Sequence, residues 1–85
     1  MGILAHAVHG GAKGTPPARK YANYFQAGFN EFEFVIDFGE FYSDQHEPVL
    51  HTRIITNPEY ARRLQDVLRD ALRNFDEQFG TPPEL

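Results

Sequence analysis

EFEFVIDFGEF, residues 31–41, decides how the rest of the chain is read. Phe32, Phe34, Ile36 and Phe38 alternate with Glu31, Glu33, Val35 and Asp37, a strict period of two. A strand with one apolar and one polar face produces that pattern, whereas a helix repeats in steps of three and four. The acids raise the question of a catalytic or metal-binding carboxylate set. Along a strand, Glu33 lies about 7 Å from Glu31, and Asp37 about 14 Å from Glu33. Catalytic carboxylates converge more closely, typically with one of them buried. The stretch is therefore expected to be a central strand, Phe32 to Phe38. Its acids are expected to meet His51, Arg53 or water.

Upstream, YANYFQAGF (21–29) alternates in the same way and reads as the preceding strand. Asn30-Glu31 is expected to form a short turn, since asparagine tolerates the left-handed backbone of a tight hairpin. Gly39 marks a bulge or the strand's exit. Residues 42–48, YSDQHEP, are polar and close on a proline, so they form a loop. VLHTRIIT (49–56) is a third strand, with Leu50, Thr52 and Ile54 expected on one side. Val49, His51, Arg53 and Ile55 are expected on the other.

A helix follows. Asn57 is placed to cap it, Pro58 suits its first turn, and Glu59 complements the positive end of its dipole. Gly80 with Pro82-Pro83 stops it after Phe79. Twenty-two residues give a rod of roughly 33 Å. Ala61, Leu64, Leu68, Ala71 and Phe75 form an a/d-like seam, which Tyr60, Val67, Leu72 and Phe79 widen. Arg62, Asp66, Arg69, Asp70, Arg73 and Glu77 line the other side. Such a helix can cover one side of the sheet, facing Phe32, Phe34, Ile36 and Phe38. It is longer than a seven-residue strand of about 23 Å, so Phe75 and Phe79 overhang and call for a partner.

The whole chain has 85 residues, 41% hydrophobic and 14% aromatic, with no cysteine. It is one small domain with no disulfide and no thiolate nucleophile or ligand. Its composition is too apolar for a fully disordered protein. Chains of this size without staples often gain stability by oligomerising. The start MGILAHAVHGG lacks a basic segment and a long apolar run, and His6 stands where a myristoylation signal has Ser or Thr. A cytoplasmic protein without a transmembrane segment is expected.

Net charge is −4. Lys13, Arg19 and Lys20 make residues 1–20 basic, while the body is acidic. An acidic body disfavours nucleic acid, whose phosphates need a basic face. Residues 1–19, rich in glycine and carrying Pro16-Pro17, read as a flexible or partner-dependent arm. Residues 20–80 form the domain and 81–85 a tail. His6-x-x-His9 is a conceivable metal clip within the arm, but neither His46 nor His51 has ligand spacing. No nucleophile triad, nucleotide loop or Walker pattern is present, and Gly10-Gly11-x-x-Gly14 follows no strand and opens no helix.

YANYFQAGFNEFEFVIDFG together with HTRIITNPEYARRLQDVLRDALRNFDEQFG resembles a family of small bacterial proteins, domain of unknown function 3467. The resemblance runs over about residues 21–80. It rests on Y-A-N, an F-x-F-V-x-D-F-G strand, an arginine-bearing strand, and a Pro-Glu helix start leading to an Ala-Arg-Leu helix ending near Phe-Gly. Asn57 stands where the family has serine and keeps the capping chemistry. Within the pattern Asp37 is the acid singled out. The resemblance implies no activity. The layout is also similar to that of the export chaperone SecB, an analogy of fold from which function does not follow.

Together these readings predict an α+β domain, an antiparallel sheet of about three strands and one long C-terminal helix, assembled as an oligomer. The expected role is non-enzymatic: an accessory or scaffold subunit that binds itself or a larger assembly, with no cofactor. Its expected interface comprises Tyr24, Phe25, Leu64, Leu68, Ala71, Phe75 and Phe79. Asp37, His51, Arg53 and Asn57 are expected to be structural. The alternative is a chaperone-like binder of extended segments through the aromatic sheet.

Overall fold

The structure, a computed structural model, describes residues 14–80. His6, His9 and most of the expected arm lie outside the described residues, as does the tail. Two compact units divide the chain, one running to Pro58 and the other containing the helix from Glu59. In the first, β1 (Tyr24–Phe29), β2 (Phe34–Glu40) and β3 (Val49–Thr56) form an antiparallel sheet in the order β1-β2-β3. The second is α1 (Pro58–Phe79). The α+β class is as the sequence predicts, and β3 and α1 end where the pattern places them.

Helix α1 opens on Pro58 directly behind Asn57, so β3 and α1 are joined through a single cap-position residue. It closes where Gly80 turns into the left-handed region at φ 80° and its amide donates to the Asp76 carbonyl at 2.7 Å. Its charges pair along the helix. Arg63 reaches Glu59 at 3.4 Å, Arg69 reaches Asp66 at 2.5 Å and Arg73 reaches Asp70 at 2.7 Å. Each exposed pair adds only about 0.3–0.5 kcal/mol. The apolar stripe is open: Leu68 is 54% exposed and Phe79 73%, and the Phe75 and Phe79 rings lean together at 5.1 Å.

The first hairpin departs from the sequence expectation. Its connection takes in residues 30–33, not a two-residue Asn30-Glu31 turn, and β2 begins at Phe34. Asn30 does not use the left-handed backbone; among the described residues positive φ is confined to glycine. Its side-chain Oδ1 instead accepts from the amides of Phe32 (2.8 Å) and Glu33 (2.9 Å), while its own amide donates to the Glu33 carbonyl at 3.0 Å. Capturing those two amides keeps Phe32 and Glu33 out of the ladder.

From Phe34 onward the alternation holds. Phe25 pairs with Phe38, Ala27 with Ile36 and Phe29 with Phe34. Ile54 lies beside Ile36 on the far strand. One face of the sheet is thus aromatic and aliphatic, with Phe25 edge-on to Phe38 at 5.8 Å and Phe29 stacked on Phe34 at 5.5 Å. Cross-strand pairs of this kind contribute about 0.2–1 kcal/mol each. Phe29 remains 77% exposed, and no apolar side chain among the described residues is buried.

The pairing of β2 with β3 shifts between Phe38 and Gly39. Thr52 faces Phe38 and Leu50 faces Gly39, which leaves His51 as the extra residue of a bulge in β3. The bulge resets the alternation: Leu50, opposite Gly39, shares a face with Asp37 and Arg53 and leaves the side of Thr52 and Ile54 where strict alternation puts it. Gly39 is what lets the strands close at this point. A Cβ there would run into the Val49 carbonyl oxygen and stand 2.9 Å from the Leu50 Cα. Both obstacles are backbone, so they cannot swing aside. Gly39→Ala is expected to lower unfolding stability by about 1–3 kcal/mol, as overpacking does. Urea unfolding followed by circular dichroism measures it, and the control Gly28→Ala, with open space around its Cβ, should cost far less.

Candidate functional site

The polar face of the sheet carries one row that crosses all three strands. Gln26 of β1, Asp37 of β2 and Arg53 of β3 are direct partners in register. Asp37 is 3% exposed and is the buried polar residue of the described chain. Arg53 holds it with two bonds, Nε to Oδ1 at 2.8 Å and Nη2 to Oδ2 at 2.9 Å. Gln26 Nε2 donates to Oδ2 at 2.9 Å, and the Tyr24 hydroxyl donates to Gln26 Oε1 at 3.2 Å. The guanidinium stays largely in water, its side chain 65% exposed.

This geometry fixes the chemistry of Asp37. The Arg53 hydrogen bonds, then that of Gln26, pull its pKa down from 3.8 to about 2, against the smaller opposing effect of burial. At neutral pH the carboxylate is ionised and both its oxygens are committed to donors. A general base needs a pKa near the working pH, and that of Asp37 lies far below it. Glu31 and Glu33, expected on the same strand face, sit instead in the β1–β2 connection, where Glu33 Oε1 accepts from Asn30 Nδ2 at 3.5 Å. The carboxylates do not converge. Among the described residues no group of three or more His, Cys, Asp or Glu side chains is placed to hold a metal ion.

His51, the bulge residue, fastens the open end of the sheet. Its Nε2 lies 2.8 Å from the Tyr21 carbonyl oxygen, which can only accept, so Nε2 carries the proton. Nδ1 then accepts from the Thr52 hydroxyl at 2.7 Å. Two residues along, Asn23 continues the β1–β2 ladder beyond the strand end. Its backbone amide donates to the Gly39 carbonyl at 3.0 Å. Its side chain accepts from the Phe41 amide at 2.8 Å and donates to the Phe41 carbonyl at 3.2 Å. The Tyr42 hydroxyl donates to Glu40 at 2.7 Å, which raises the Tyr42 pKa.

The remaining sequence candidates fall on separate surfaces. Tyr24 and Phe25 are adjacent and so occupy opposite faces of β1, Tyr24 on the polar row and Phe25 on the aromatic side. Leu64, Leu68, Ala71, Phe75 and Phe79 are exposed along α1. Asn57 holds the cap position ahead of Pro58. Gln26 and Asn23 were not singled out in the sequence. Gln26 becomes visible only once the hairpin register is known, whereas Asn23 stands in the Y-A-N triplet and carried that much signal.

Residues 6–81 match the sequence model of a family described as protein of unknown function (DUF3467). The chain belongs to the DUF3467 family. The match reaches back to His6, so it takes in most of the segment read as lying outside the resemblance, and Tyr21 is not its beginning. No curated protein and no solved structure matches the chain. No described helix is long and apolar enough to cross a membrane.

The row makes stability depend on pH in a definite direction. Because the folded pKa of Asp37 is depressed, its contribution is complete above the unfolded value near 4 and is lost as pH falls through about 2. Asp37→Asn is expected to be less stable than the native chain at pH 6, with the gap closing between pH 4 and pH 2. Thermal unfolding of both chains across that window measures it. A gap that stays constant means the row does not act as an ion pair.

Proposed function

We propose that this DUF3467 protein is a non-enzymatic interaction subunit, an accessory or scaffold component that works by assembling through the apolar stripe of α1. The observation that carries this reading is the exposure of apolar side chains. None among the described residues is buried, and the α1 stripe stands open, with Phe75 49% exposed. Ordering each residue costs about 1–2 kcal/mol of conformational free energy, and burial of apolar surface is the main term that offsets it. A 22-residue helix with its stripe in water is marginal on its own. Folding of such a helix is completed by a partner. Contiguous apolar surface rimmed by charge is also what protein interfaces present.

A catalytic role has little support from the site. Asp37 is ionised, held by three hydrogen bonds and tied into the sheet, and the other acids are dispersed. A second reading is favoured by one specific feature. Phe25 and Phe29 lie exposed on the aromatic face at edge strand β1, which carries no charge and no proline along its length. Uncharged edges accept extended segments by strand addition. That reading is the chaperone-like alternative, and it locates binding on the sheet.

The two are separated by where a charge disrupts assembly. In extract of the native host, the tagged chain is expected to run in size-exclusion chromatography well above its monomer mass of 9.7 kDa. Phe75→Glu is expected to return it to monomer size, weakening the interface on the order of thirtyfold or more, as loss of a buried hot spot does. Phe29→Glu should leave the assembly intact. The opposite pattern supports strand addition, and monomeric behaviour of all three chains overturns both.

A further inference from the structure

We draw no further inference here: the strongest candidate, the open apolar stripe of α1 from Leu64 to Phe79, already carries the interaction reading above, and nothing in the structure shows what covers it.

Discussion

One carboxylate holds the three strands in register. Asp37 sits at the middle of the middle strand, and its two oxygens are claimed from both sides, by Arg53 of β3 and Gln26 of β1. A slip of either neighbour by one residue would turn those donors to the opposite face and leave a nearly buried charge without partners. A slip by two would restore the face but set a different side chain beside the acid. Aromatic pairing on the reverse face tolerates such slips better, because Phe25, Phe29, Phe34 and Phe38 are interchangeable in chemistry. Apolar contact favours having a sheet; the polar row selects which sheet.

The bulge at His51 belongs to the same arrangement. Beyond Arg53 the strands need not continue in step, and here they do not. The extra residue lets β3 pass Gly39 at a distance no other residue permits, and it swings His51 across to the Tyr21 carbonyl. Asn23 closes the same end on the β1 side by pairing with the Phe41 backbone as a strand residue would. The segment before β1 is thereby tied to the sheet by side-chain bonds instead of a continued ladder. That is a local solution for an end of the sheet where regular pairing stops.

How much of this was legible in the sequence depends on whether the signal was periodic. The faces of β2, the span of β3 and both ends of α1 follow from alternation, β-branched residues, and the Asn57-Pro58 and Gly80 signals. The hairpin was misread because Asn30 has two ways to make a turn, through its backbone or through its side-chain oxygen, and the letter does not say which. The error moves every β1–β2 partner by two residues. Faces survive a shift of two, so the aromatic side was readable, while partners do not, so Tyr24 stood where Gln26 belongs opposite Asp37. A bulge is expected at Gly39, and the register does shift there, but Gly39 announces a close approach without saying which strand carries the extra residue, which falls in β3 at His51. The exchange of Leu50 to the other side follows from that alone.

The acid that looked most like chemistry therefore bears first on the register of the sheet. A carboxylate held near pKa 2 by a bidentate arginine is a poor proton acceptor and a good register pin, tied to both neighbouring strands. Apolar surface differs in that respect, since exposed leucine and phenylalanine have no internal partner that completes them. On α1 that surface runs along the helix from Leu64 to Phe79. The polar row thus fixes the register of the sheet, and the open stripe of α1 is the feature on which the interaction reading rests.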